Sequence, residues 1–455
     1  MLLIIFLMLS VILLVCYCVV LVRPYFSLAL FPLISLFTRF SIGNIQMSPE
    51  KLYILLLLPV LLIVIFYRKT KKFKTNQSKN ILSVVSSKSI IPKDIKISFI
   101  CFWVLLLISQ IVNARGIPSF STLNYVLGYL GKGFLVYLIV YFIDNERKFK
   151  LCLQSLVISL SIVVVLGFLE ILLSKDFFVF RFEEGLFYLP VSQYTPLYNP
   201  NLLARNILIL FPFAVFGLYY FRKKFLFFCL ALLGVIGSFL LIISTLSRAG
   251  IFAFGVEIML FIYFLRKIII NKVPFLIPLM ASVVVFCAML FGDIIIERYI
   301  NMFEALTSPL HAASLPEINI RMRIWLASIA IIKDYPIWGV GLDKLEDFLL
   351  TYGSIRFIGS DIQAMQVHGS LLKFTVIGGM ITGISLVILI YFFVKFLLKQ
   401  MKFQSNFKHK FFVQSSLVST TGVLISSIAA DPIYWNILWV TVGLVLAGIL
   451  KILPN

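Results

Sequence analysis

Residues 222–267 read RKKFLFFCLALLGVIGSFLLIISTLSRAGIFAFGVEIMLFIYFLRK. The apolar runs 225–245 and 249–265 are each about as long as a helix must be to cross a bilayer core, which takes roughly 20 residues at a rise of about 1.5 Å. Arg222-Lys223-Lys224 opens the pair, Arg266-Lys267 closes it, and the turn between them carries one cation, Arg248. Basic residues beside spans stay on the cytoplasmic side. The stretch therefore reads as a membrane hairpin with both feet in the cytoplasm and Ser247-Arg248 outside.

The same alternation runs through all 455 residues, of which 61% are hydrophobic and 13% charged, with a mean hydropathy of +1.06. A soluble chain would carry about a quarter charged residues. Comparable runs fall at 2–22, 51–67, 97–113, 124–143, 151–173, 201–221, 273–292, 371–398, 411–429 and 435–452. The expected fold is all-α: a polytopic transmembrane bundle of about twelve spans with one large, partly helical outer loop. Residues 1–292 form an N-terminal bundle of about nine spans, 293–370 the outer loop, and 371–455 a C-terminal bundle of about three. Residues 25–37, after Arg23-Pro24, are apolar but short, either a re-entrant or interfacial piece or a thirteenth span that would move the N-terminus outside. The first run lacks a preceding basic residue and a small-residue cleavage site, so it reads as a retained helix.

The net charge is +21. In a nucleic-acid binder that excess would sit on one soluble domain; here it lies in short clusters between apolar runs, which points to membrane topology and anionic lipid and excludes a nucleic-acid partner. Nine Lys and Arg between Arg68 and Lys96, then Arg147-Lys148-Lys150, Arg222-Lys223-Lys224, Arg266-Lys267-Lys272 and Lys399-Lys402-Lys408-Lys410, all land on one side. The two basic residue types then sort differently. Twenty of 26 Lys are cytoplasmic, whereas 10 of 14 Arg are outside: 23, 39, 115, 181, 205, 248, 298, 321, 323 and 356. A planar guanidinium fork binds phosphate or carboxylate in bidentate fashion, while lysine serves as a hydrated anchor. Outer arginine is thus read as a site for an external anion, phosphate first. The alternative pairs these arginines with the outer carboxylates Glu183, Glu184, Asp343, Glu346 and Asp347.

Residues 293–370 are too long for an ordinary connection. Within them 319–332 reads as a helix, with Met322, Trp325, Leu326, Ile329 and Ile332 on one apolar face and Arg321 and Arg323 at its N-terminal end; such a helix would lie in the outer interface. Asp334-Tyr335-Pro336 stops it. Gly339 and Gly341 follow as turn glycines, since no nucleotide-binding unit surrounds them. Of three histidines, His409 and His311 read as solvated loop residues, whereas His368 stands where the outer loop returns to the membrane and can act as a base near neutral pH. The histidines make no zinc site and no outer Asp-x-Asp would hold a divalent ion, so no metal or cofactor is expected. The six cysteines, at 16, 18, 101, 152, 229 and 287, read as small core residues. Lys132 and Glu257 fall inside spans, where ionisable groups are functional candidates; they either pair, or Lys132 snorkels to a lipid phosphate and Glu257 bonds between helices.

These pieces resemble the O-antigen ligase and polymerase superfamily of bacterial membrane glycosyltransferases. The matching residues are Arg181-Phe182-Glu183-Glu184-Gly185 and Asn199-Pro200-Asn201; Thr245-Leu246-Ser247-Arg248-Ala249-Gly250; Arg321 to Trp325 followed by Asp334-Tyr335-Pro336-Ile337-Trp338-Gly339-Val340-Gly341; and His368 ahead of Gly378-Gly379. In the ligases the histidine is followed by Asn, Ser or Gln, then nine residues, Gly, and Gly, Thr or Tyr three further on. His368, Gly379 and Thr382 fit, and Gly369 departs from the pattern. The resemblance runs from about residue 170 to 385. It implies a GT-C-like architecture in the bacterial inner membrane and metal-independent, inverting glycan transfer at the periplasmic face. The partners it implies are an undecaprenyl-diphosphate-linked glycan donor, a lipid or glycolipid acceptor such as lipid A-core, and membrane lipid. His368 would be the base and Arg248 and Arg321 the diphosphate clamp, with Arg181, Arg323, Lys132 and Asn201 supporting. A polymerase with the same donor is the sibling reading, and a lipid-linked-sugar flippase or other transporter the rival from another class.

Overall fold

The computed structural model describes residues 25, 28, 40–42, 45–47, 91–114, 117–173, 179–182, 185–188, 200–245, 247–272, 316–353, 367, 369–403, 406–428 and 436–452. The expected spans at 2–22, 51–67 and 273–292, nearly all of 25–37, and His311 and His368 lie outside the described residues.

Each remaining apolar run forms a helix. In chain order these are α1 (Lys93–Ala114), α2 (Phe120–Phe142), α3 (Glu146–Leu173), α4 (Pro200–Tyr220), α5 (Phe225–Ser244), α6 (Arg248–Lys272), α7 (Pro316–Asp334), α8 (Leu345–Gly353), α9 (Ser370–Phe403), α10 (Phe407–Ser426) and α11 (Asn436–Ala447), which runs into a π-turn at Gly448–Ile452. Among the described residues seven helices, α1 to α6 and α9, are long and apolar enough to cross a membrane. The chain is a multi-pass membrane protein. Two small antiparallel hairpins, β1 (Phe40–Ile42) with β2 (Ile45–Met47) and β3 (Val179–Phe182) with β4 (Gly185–Tyr188), add strand to the expected all-α fold.

Lipid tails are as apolar as leucine, so such helices are joined by close packing and hydrogen bonds between helices. α3, α4 and α5 pack as a group, α10 lies against α4 and α6, α1 runs along α9, and α2 along α11. The Ser161 hydroxyl bonds to the Leu230 carbonyl at 2.8 Å, joining α3 to α5, and Ser419 to that of Ile209 at 3.0 Å, joining α10 to α4. Phe412 packs where α3, α4 and α10 meet near the basic end, its ring 5.2 Å from Phe149 and 5.1 Å from Phe216.

One end of the bundle is basic, with Arg147, Arg222, Lys224 and Lys408 brought together there. The starts of α2, α4 and α6 and the pair α7–α8 lie at the opposite, far end. His409, expected to be solvated, is instead fully buried. α10 begins four residues before the expected span, and this turns His409 inward between the outward Lys408 and Lys410.

Helix α7 is longer than the expected 319–332, and its apolar face divides. Ile324, Ala327, Ser328 and Ile331 face the protein, while Leu326 and Ile329 are exposed. Ala327 and Ser328 let this face approach its neighbours closely, and Leu326 and Ile329 are left on the outward face. Apolar periodicity cannot separate the two faces when the solvent on one side is itself apolar.

Candidate active site

The far end is organised by a break in α9. Gly379 takes φ 75°, ψ 175° inside that helix, a region open essentially only to glycine. Thr375 lies against Gly383, a pair that an unbroken helix would hold about 12 Å apart. Breaking a helix in a membrane frees backbone groups that must be bonded by protein. Here the Pro336–Gly341 loop supplies the partners. Val340 N–H donates to Val376 O and Gly341 N–H to Ile377 O, each at 3.0 Å, while Met380 N–H donates to Pro336 O at 2.7 Å. Gly339 and Gly341, at φ 65° and 76°, are turn glycines as expected. Gly339 also sits against the Val376 carbonyl, so a side chain there would part the two segments. Beyond the break, the buried Thr382 hydroxyl donates to Gly378 O at 2.7 Å.

The last turns of α1 clamp this junction, which the sequence reading missed. Ser109 Oγ donates to Trp338 O at 2.7 Å, Asn113 Nδ2 to the same carbonyl at 2.9 Å, and Gln110 Oε1 accepts Leu342 N–H at 2.8 Å. Asp343 continues the clamp to α2 by accepting from the N–H and hydroxyl of Ser119 and the hydroxyl of Thr122. Partial burial pushes the Asp343 carboxyl up, but those three donors together outweigh it and hold the group below its ordinary value. A carboxyl depressed by folding adds stability above its unfolded pKa of about 3.9, and the gain disappears as pH falls through the folded value. Asp343→Asn should therefore cost less than about 1 kcal/mol near neutral pH, given its exposure. Thermal melts should show wild type losing that margin below about pH 4 and the variant showing no such step. On the other side of the loop, Tyr352 donates to Asp334 Oδ2 at 2.6 Å, which ties α8 to α7 and pushes the phenol up to about 12.

The Ser247-Arg248 turn and the start of α4 meet at the same end. Ser247 caps α6, accepting Gly250 N–H at its hydroxyl, and that hydroxyl donates to Asn201 Oδ1 at 2.8 Å. Arg205 Nε donates to Asn201 O at 3.0 Å. Gly250 lies directly against Ala204. Two helix N-termini and the two arginines Arg205 and Arg248 thus stand side by side, the former with their N–H groups pointing outward, which is an arrangement suited to an anion.

Lys132 is buried in α2, its Nζ 4.1 Å from the centre of the Tyr129 ring. Lys373 of α9, also buried, lies 5.5 Å from the Tyr125 ring, and the two tyrosine hydroxyls are 3.1 Å apart. Phe374 packs edge-on against Tyr129 at 5.2 Å. Lysine 373 carries no sequence signal beyond a lone charge near the start of a span. The expected alternative of a Lys132–Glu257 pair is not formed: Glu257 is fully buried against Gly422 of α10, and among the described residues neither carboxylate oxygen has a hydrogen-bond partner.

The structure therefore brings Asn201 together with the turn that carries Arg248, and Lys132 together with the first turns of α9. Arg181 lies on β3, and Arg321 and Arg323 in the N-terminal half of α7. His368 is outside the described residues, but its neighbours are not. Val367 is buried, and Ser370 N–H donates to Ser427 O at 3.0 Å. Gly369 takes φ 103°, and a Cβ there would come within 2.8 Å of Ile428 O. That explains the departure at Gly369: a residue with a side chain does not fit this backbone.

An apolar crevice of about 400 Å³ opens between α1, α2, α9, α10 and α11, running from Lys96 and Phe99 past Tyr137 and Trp439 to Ser370 and Leu371.

The fold defines a multi-pass helical membrane protein. A family model described as O-antigen ligase matches residues 233–388, from within α5 to within the broken α9. No curated protein matches the chain.

Proposed function

We propose that the protein is an O-antigen ligase-type glycosyltransferase that moves a glycan from undecaprenyl diphosphate to an acceptor hydroxyl, lipid A-core or similar. The reaction takes place on the outer face of the bacterial inner membrane, without metal and with inversion. The observation that carries this reading is the paired start of α4 and α6, where Asn201, Ser247, Arg205 and Arg248 converge at the end opposite the basic clusters. Positive charge at that end opposes the usual topological bias and calls for an anionic ligand.

His368 takes the proton of the acceptor hydroxyl, the oxygen attacks the anomeric carbon, and the bond to the diphosphate oxygen breaks with its electron pair leaving on the diphosphate. Charge grows on that leaving group, so Arg248 and Arg321 bind the transition state more tightly than the ground state. Arg181, Arg323, Lys132 and Asn201 support the clamp, with Lys373 beside Lys132. The apolar crevice holds the polyprenyl chain and ends at Ser370, two residues from the base, which makes the encounter of donor and acceptor local. A polymerase that uses the same donor and a lipid-linked acceptor needs the same parts.

Arg248→Lys tests the clamp. A point charge cannot replace the guanidinium fork, so transfer by purified protein should drop at least about tenfold with normal insertion and melting. Full activity would mean that Arg248 is only an anchor.

A further inference from the structure

We propose a second ligand site at the basic end: a pocket that binds the phosphate headgroup of an anionic bilayer lipid. It is independent of the glycan-transfer reading and rests on three observations.

First, the basic residues do not merely flank separate spans. The start of α3, the α4–α5 turn and the start of α10 line one open pocket of about 530 Å³, with Arg147, Lys150, Arg222, Lys223, Lys224 and Lys408 in its wall. Second, the one acid in its wall is already engaged. Glu146 takes Lys408 at 2.5 Å and the Tyr220 hydroxyl at 3.1 Å. Among the described residues Arg147, Lys150, Lys223 and Lys224 form no ion pair, and all four line the same pocket. Cations gathered in one pocket repel one another unless an anion sits among them. Third, α5 starts next to this pocket without a side-chain cap, and the uncapped start of a helix carries partial positive charge that favours an anion.

The surroundings select a lipid over a soluble anion. Immediately beyond Lys224, Phe225 and Leu226 are 84% and 64% exposed, an apolar rim where acyl chains would lie below a headgroup. Basic pockets between spans on the cytoplasmic side bind anionic headgroups by this combination of charge and adjoining apolar surface. Topology alone requires the positive charge but not its gathering into one pocket.

The test uses full-length protein in detergent micelles, with dioleoyl phosphatidylglycerol, dioleoyl phosphatidylcholine and inorganic diphosphate as probes and binding read by native mass spectrometry and fluorescence competition. Wild type should bind the phosphatidylglycerol at least tenfold more tightly than the phosphatidylcholine. The Lys150→Gln, Lys223→Gln, Lys224→Gln triple variant should lose about fivefold per lysine. A matched variant at the end of α9, Lys395→Gln, Lys399→Gln, Lys402→Gln, should bind as wild type. Equal binding of the two lipids by wild type would overturn the proposal without recourse to any variant, as would an equal loss in the matched variant. Diphosphate that binds as tightly as phosphatidylglycerol and is not displaced by it would overturn the lipid as occupant.

Discussion

Gly379→Ala will destabilise the protein by at least about 4 kcal/mol. The backbone there is one that residues with a side chain adopt only at about 1–3 kcal/mol, and the new Cβ would run into the Ile337 carbonyl and lie 2.6 Å from Trp338 N. Relief requires the loop to move away, and the bonds from Val340, Gly341 and Met380 go with it. Each leaves a buried polar group unmatched at about 1–3 kcal/mol. The comparison is Gly128→Ala on α2, where an added Cβ meets nothing within 4 Å and the effect should stay within about 1 kcal/mol. Thermal melting and the yield of monodisperse protein read both. Equal melting of the two variants would mean that the junction between loop and helix break contributes little.

His368→Ala should lower glycan transfer by about 10²- to 10⁴-fold, the usual contribution of a positioned general base, with the protein inserted and melting as wild type. The residue stands next to a backbone held by Gly369 and by the Ser370–Ser427 bond, so its removal leaves that frame in place. Near-normal turnover would take His368 out of the mechanism.

A broken span is also what a transporter would show. In α9, though, the freed carbonyls are taken up by the Pro336–Gly341 loop. The break holds the far-end loop in the bundle rather than opening backbone toward a midplane site, and this favours the transferase.

The membrane class and the span edges were legible because a run of some 20 apolar residues flanked by charge has few other readings. The hairpin 222–267 appears as α5 and α6 with Ser247 capping the turn. Partnerships across the sequence were not legible. Gly339, Gly341 and Gly379 each stood out singly, but nothing in their spacing says that they pack on one another, or that Ser109, Gln110 and Asn113 close the junction from a helix more than 200 residues away. Glu257 was visible as a charge in a span, yet its neighbour Gly422 was not. Within a membrane the apolar pattern marks what is buried from water and leaves open whether protein or lipid does the burying, which is why the face of α7 was misjudged.

The most direct test of glycan transfer is the electrophoretic pattern of surface glycolipid from a strain lacking this gene, beside the same strain carrying wild type or His368→Ala. Ligase activity predicts bare acceptor with lipid-linked polymer accumulating in both the deletion and the His368→Ala strain, and a restored ladder with wild type. Acceptor carrying a single repeat would mean polymerase instead, and an unchanged ladder in the deletion strain would contradict both activities for that glycan.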